Sequence, residues 1–346
     1  MRLSTALQYS EDPRTLAARA AALEAAGLDI AWVAEAYTFD APSLMGFLAA
    51  STQTIQIGAG ILPIYSRTPT LMAMTAAGVD ALSGGRCILG LGASGPQVIE
   101  GWHGLPYDRP LGRTREIVEI CRKVWAREAP LVHDGPNYHV PLPAGEGTGL
   151  GKALKIINRP LRPRIPIWLA ALGEQNVTLT AEIAEGWLPL FFVPERTEQA
   201  FGAALAAGTA KRDPALDPLE IAAGGLLAIT DDPDEAVRLR DLARPQVALY
   251  VGGMGAKGRN FYNALVRRYG WEAEAEEVQN LYLSGQKAAA EAAVPAELLE
   301  KTSLVGSEGF IKDRIAAYRE AGVTVLNVAP HGPDPVRLVE RLKSFV

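Results

Sequence analysis

Two hydrophobic periods alternate along this chain. Short apolar runs bounded by glycine or polar residues take turns with longer stretches whose apolar residues recur at helical spacing. Residues 3 to 9, LSTALQY, read as a strand. Pro13 then opens a helix in which Leu16, Ala20, Leu23 and Ala26 share a face, and Gly27 suits a left-handed cap. The run 29 to 34, DIAWVA, predicts a second strand ending at Glu35, followed by a helix over 41–53. A third strand is expected over 54–60, with the loop LPIYSRTP behind it. Pro69 starts the next helix, which stops at Ser83-Gly84-Gly85, and Cys87 to Leu91 make the fourth strand.

The alternation continues with a helix over 111–128 and then a Pro/Gly-rich excursion, 129–164. Within it, LVHDGPNYHV predicts a hairpin around Asp134-Gly135. Strands are expected over 165–170, 186–191 and 219–229, with helices between them. From 233 to 301 the pattern is helical throughout, too long for one crossover, and reads as an inserted lobe. A helix over 308–321, the strand VTVLNVAP and a helix from Pro335 follow. Eight apolar strands, each followed by helix, call for a parallel sheet covered on its faces. Eight is also the number that closes a (β/α)8 TIM barrel, here with a helical insertion after strand seven. Neither a repeat nor a low-complexity linker divides the chain, so 1–346 reads as one barrel domain.

Composition narrows the picture. Of the 346 residues 48% are hydrophobic and 21% charged, enough apolar content for a large core. The net charge of −5, with both signs interspersed, argues against a nucleic-acid or anionic-membrane binder. Cys87 and Cys121 sit in apolar surroundings and read as core residues of a reduced protein, with no metal site. The N-terminus lacks the apolar run of a signal peptide, and no stretch is apolar enough to span a membrane, so a cytoplasmic location is expected.

Gly90, Gly92 and Gly95 fit G-x-G-x-x-G after a strand, the pattern that holds a dinucleotide pyrophosphate. The context fails. The motif follows the fourth strand and not the first, Pro96 follows the last glycine, and the next helical pattern starts well downstream. The glycines can simply let the strand pack and turn. Even so, the backbone N–H groups around Ala93-Ser94-Gly95, with the Ser94 hydroxyl, make a concavity suited to a phosphate. A second such turn, Ala171-Leu172-Gly173-Glu174-Gln175-Asn176, precedes the helix after strand five. It is either an ordinary cap or an anion site at a helix N-terminus. In a barrel both turns lie on the C-terminal face, where active sites are built. The basic residues Lys152, Lys155, Arg159, Arg162 and Arg164 precede strand five, on the opposite face, and read as a solvated surface.

The blocks EAYTFDAPS, IQIGAGILPIYSRTP, GVDALSGGRCILGLGASGPQVIEGWHG, RPLGRTREIVEI and IPIWLAALGEQNVTLTAEIAEGWLPLFF resemble the luciferase-like superfamily. The likeness covers roughly residues 1 to 195 and 300 to 330 and points to its coenzyme F420-dependent oxidoreductases, the methylenetetrahydromethanopterin reductase-like branch. The resemblance implies hydride transfer between deazaflavin C5 and a small organic substrate at the barrel mouth, and a homodimer. It also implies a cis peptide at Gly60-Ile61 behind the ring, a ring contact from Glu35, and cofactor contacts from Ala93, Ser94, Gly95, Ala171, Leu172, Gly173, Glu174 and Asn176. Glu35 can equally be a helix-capping carboxylate. Around the mouth the resemblance places Tyr9, Tyr37, Tyr65, Arg67, Trp102, Phe191 and Phe192 toward substrate, with Glu35, His103 and His331 as candidate catalytic groups; either histidine can instead be structural. The alternative reading is an FMN-dependent luciferase-like monooxygenase served by a separate flavin reductase. Glu35-Ala36 and Gly95-Pro96 depart from the family's sugar-phosphate dehydrogenases, which makes that activity unexpected here.

Overall fold

In the computed structural model, which describes residues 1–7 and 11–346, eight parallel strands close into a barrel. They are Arg2–Ala6, Ile30–Val33, Gln56–Ala59, Cys87–Gly92, Ile167–Leu169, Gly186–Trp187, Glu220–Ala223 and Val325–Asn327. The first strand pairs with the second and the eighth, and the ring closes between third and fourth through Ile57 opposite Cys87 and Gly58 opposite Ile88. Tyr9 lies outside the described residues.

The barrel interior is filled by two tryptophans. Trp32 and Trp168 lie 5.3 Å apart at a 54° tilt, surrounded by Ile30, Ile88, Ala222 and Val325. Two glycines make room for them. A Cβ on Gly58 would sit 2.2 Å from the Trp32 ring, and one on Gly186 2.0 Å from the Trp168 ring. The helices lay their apolar stripes on the outside of the strands; Ile117, Ile120, Cys121 and Val124 do so from the helix Pro110–Ala126. Cys87 and Cys121 are both free and buried, and burial pushes their thiols up, so they are core residues.

Helix entries follow local chemistry. Asp12, Asp40 and Thr68 each accept a backbone N–H of the helix they precede, with proline in the first turn. The expected hairpin forms as His133–Asp134 against His139–Val140. Its turn wraps the Glu116 carboxylate, which accepts from the backbone N–H of Asn137 and Tyr138 at 3.2 and 3.0 Å and lies 3.1 Å from His133 Nε2.

Several expectations need correction. A short helix, Pro96–Gly101, opens directly after Gly95, where the sequence pattern suggests loop. The sixth strand ends at Trp187, well short of Phe191. The run 219–229 divides at Gly224-Gly225, because a Cβ on either would strike the carbonyl of Asn327 or Thr302. Its second half, Leu226–Ile229, becomes the centre of a small parallel sheet with Leu304–Gly306 and Ala329–Pro330. The helices of the insertion run from Pro233 to Lys301. Nor is the basic cluster simply solvated: Arg162 forks onto the fully buried Asp80 and donates to the Cys87 carbonyl, and Arg164 pairs with Glu185.

Candidate active site

The mouth is built around an interruption in strand three. Pairing with strand two stops at Ala59, and the chain resumes as Leu62–Pro63 beside Leu91–Gly92 of strand four. Between them the Gly60–Ile61 peptide is cis, at the position the resemblance implies. Strand four accommodates this bulge through the two glycines that mimic a dinucleotide motif. A Cβ on Gly90 would lie 1.7 Å from the Ala59 carbonyl oxygen, and one on Gly92 would lie 2.8 Å from the Ile61 side chain. Their absent side chains are therefore filled by the neighbouring strand.

The two phosphate-friendly turns stand side by side, because strands four and five pair through Leu91 and Leu169. Ser94 adopts the left-handed region at φ 58°, a conformation that costs a non-glycine residue about 1 kcal/mol and that recurs in anion-binding turns. The helix Glu174–Ile183 begins at Gly173 without a side-chain cap, so its first-turn N–H groups are free to meet an anion. Backbone N–H groups of this kind suit an anion such as a phosphate.

Glu35 follows strand two and is nearly enclosed. Arg67 donates to both its oxygens at 2.6 and 2.8 Å, and the Ala41 N–H, at the start of the next helix, donates at 2.8 Å. It thus caps that helix and pins Arg67 at the rim. Next to Arg67 a cavity of about 360 Å³ opens, lined in part by Tyr65, Arg113 and Tyr138. Tyr65 donates to the Asp108 carbonyl at 2.8 Å, and burial raises its phenol far above the ordinary value. Arg113 lies over the rings of Tyr65 and Tyr138 and pairs with Asp108 at 2.8 Å.

A luciferase-like monooxygenase family model matches residues 1–325. The chain belongs to this family. It is an oxidoreductase. A protein of Mycobacterium tuberculosis that carries the name of a coenzyme F420-dependent oxidoreductase is 43% identical over 342 residues, 97% of each chain. The 5,10-methylenetetrahydromethanopterin reductase of Archaeoglobus fulgidus is 29% identical over 325 residues, 92% of this chain and 90% of the relative. The solved coenzyme F420-dependent tetrahydromethanopterin reductase of Methanopyrus kandleri shares the fold, with a TM-score of 0.80 at 23% identity over 100% of this chain and 98% of that one.

Within this luciferase-like barrel, the candidates fall into groups. Glu35 and Arg67 meet, as do Tyr37 and Trp102, whose rings lie 6.3 Å apart. His103 follows Trp102; it is half-buried and its Nε2 has no partner among the described residues. His331 is exposed at the end of the small sheet, and among the described residues no hydrogen bond or ring contact joins its side chain to another candidate. Phe192 does not face substrate. It is 1% exposed and packs against Trp187, Phe201 and Tyr318 in the outer core. Phe191, left-handed at φ 54°, turns instead to meet Tyr250 and Tyr262 edge-on at 5.7 and 6.1 Å.

Those two tyrosines belong to the insertion and escape a reading of the sequence, as does Arg268. Arg268 donates to the Leu172 carbonyl at 2.6 Å and lies 3.8 Å from Glu174, over the second phosphate-friendly turn. Phe261 also reaches that turn, 3.5 Å from where a Gly173 Cβ would stand. The sequence signal is faint: an Asn260 cap preceding FYNALVRR marks a helix but not its partner.

Proposed function

We propose that this chain is an F420-dependent oxidoreductase that moves a hydride between the deazaflavin and a small organic substrate at the C-terminal mouth. The observation that carries the reading is the strand-three bulge, received by Gly90 and Gly92, standing beside two uncapped anion-binding turns on strands four and five. Bound there, the cofactor supplies a hydride donor or acceptor at its ring carbon 5. Gly60 and Ile61 support the ring. Ala93, Ser94 and Gly95, with the turn from Ala171 to Glu174 and Asn176, hold the phosphate. Glu35 fixes Arg67 at the ring edge, and His103 Nε2, unpartnered in the described residues, exchanges the proton that accompanies the hydride. His331 is the second candidate for that proton. The 43% identity to a protein named as an F420-dependent oxidoreductase supports the cofactor.

The family model's own description favours a second reading, an FMN-dependent monooxygenase, since the same turns suit an FMN phosphate. Anaerobic assays separate the two. Oxidation of reduced F420 by a carbonyl substrate without oxygen is expected; turnover that needs oxygen, FMN and a flavin reductase would overturn the F420 reading.

We further propose a homodimer. The helices Ala41–Ser51 and Pro69–Ser83 carry no charge except the buried Asp80, yet expose Phe47, Leu71, Met74 and Leu82. Analytical ultracentrifugation should give twice the chain mass. Among the described residues no helix is long and apolar enough to cross a membrane.

A further inference from the structure

The mouth carries large aromatic rings from four separate segments. Tyr37 follows strand two and Trp102 follows strand four; each is 67% exposed, although they face one another at 6.3 Å. Phe191 follows strand six, across the eight-stranded ring from strand two, and meets Tyr250 and Tyr262 of the insertion, whose two rings lie edge-to-face at 4.7 Å. Burial raises the Tyr250 phenol above its ordinary value, with Tyr37 adding to the effect. Leaving such rings in water costs free energy unless something flat covers them.

The arginines on the substrate side of the mouth are already paired. Arg67 is held by Glu35 and Arg113 by Asp108; Arg268, whose Nε has no partner among the described residues, sits over the second turn, on the cofactor side. Lys257 and Arg259 are exposed, on the segment between Tyr250 and Tyr262. An anionic substrate would have to break a pair or be held outside the wall.

We propose that the substrate is an uncharged molecule with a flat, apolar, ring-containing body, taken between Tyr37–Trp102 on one side and Phe191–Tyr250–Tyr262 on the other. This inference rests on the mouth being the active site, but not on which cofactor occupies it. Trp102 and Tyr37 are the specificity-determining residues of barrel origin; Tyr250 and Tyr262 make the insertion a selector of substrate shape.

The test compares 2-acetylnaphthalene with 2-naphthoate, which share a ring system and differ in charge. Binding to the full chain is read by calorimetry, with and without F420, and turnover is read separately. The neutral ketone should bind about tenfold or more tightly than the carboxylate, and Trp102→Ala and Tyr37→Ala should each weaken it by about tenfold, the scale of one lost ring stack. Both side chains are exposed, so neither change endangers folding, and F420 affinity reports the cofactor site independently. Preference for the carboxylate, abolished in the Lys257→Ala/Arg259→Ala double variant, would overturn the proposal, as would ketone affinity unchanged by both aromatic substitutions. Loss of F420 binding with ketone binding intact would instead defeat only the cofactor reading.

Discussion

The two ends of this barrel are built on opposite principles. At the N-terminal end, carboxylates meet the backbone at the starts of the strands. Asp29 accepts from the Leu3 N–H, Glu24 from Ile55, Asp80 from Cys87 and Glu185 from Ile167, at 2.7 to 3.2 Å. Cations then close three of these contacts: Lys343 on Asp29, Arg162 on Asp80, Arg164 and Arg122 on Glu185. At the C-terminal end the reverse holds. A helix starts without a side-chain cap, Ser94 and Phe191 occupy the left-handed region, His103 Nε2 has no partner among the described residues, and Tyr37 and Trp102 face solvent. One end spends its polar groups on holding strands together. The other pairs Arg67 and Arg113 but leaves a helix start, a histidine nitrogen and two large rings uncommitted, at a cost in stability that a binding site carries and a scaffold does not.

The sharpest way to break this contrast is at its hinge, Gly90. Gly90→Ala places a methyl against the Ala59 carbonyl, so we expect a loss of about 3 kcal/mol or more, since a rigid backbone atom cannot yield, together with loss of cofactor binding. Thermal unfolding and cofactor titration on the same sample read both. Asp80→Ala tests the other end alone. It strands Arg162 and the Cys87 N–H, and should cost about 3 kcal/mol, as removal of one partner of a buried pair does. Cofactor affinity of the folded fraction should stay unchanged.

How far these ends are legible in the sequence differs too. The alternation of strand and helix, and hence the eightfold barrel, follows from periodicity because each strand is a short apolar run. The bulge is less accessible. Gly90 and Gly92 stand out as glycines, but what fills their missing side chains is Ala59 and Ile61 of a strand some thirty positions earlier, and spacing within one segment cannot show that. Phe191 and Phe192 look interchangeable in LFFV; only the left-handed turn at Phe191 sends one ring to the mouth and the other to the core. Tyr250, Tyr262 and Arg268 were invisible for a plainer reason. A helical insertion has no ladder register to tie its faces to the barrel, so its contacts are set by tertiary packing alone. Arg162 and Arg164, read as solvated, are clamps for the same reason: their carboxylate partners come from distant helices and loops.

Smaller effects sharpen the account. Glu35→Gln keeps the Ala41 contact but uncharges the Arg67 pair; stability should fall by about 1 kcal/mol, while turnover falls by about tenfold or more as Arg67 is released. Ser94→Ala removes a hydroxyl but not the backbone concavity, so cofactor affinity should drop by only about threefold, the lower range for one neutral hydrogen bond. The least effect concerns the hairpin. Burial pushes the Glu116 carboxyl up, but its bonds to Asn137, His133 and the Tyr138 N–H outweigh this and hold it below the ordinary value of 4.5. A carboxyl that ionises more readily folded than unfolded stabilises fully above its unfolded value and loses that contribution as pH falls through the lower, folded one. Amide exchange at Asn137 and Tyr138 should therefore quicken as pH drops below about 4.5, after correction for intrinsic rates, and this dependence should flatten in Glu116→Gln.

The most direct measurement is a parallel titration of the purified chain with F420 and with FMN, followed by fluorescence, in the native protein and in Gly90→Ala. Saturable F420 binding at one per chain is expected, with weaker FMN binding and loss of both in the variant. Tight FMN binding with no F420 binding would contradict the cofactor reading, and undiminished binding in Gly90→Ala would contradict the claim that the bulge between strands three and four forms the site.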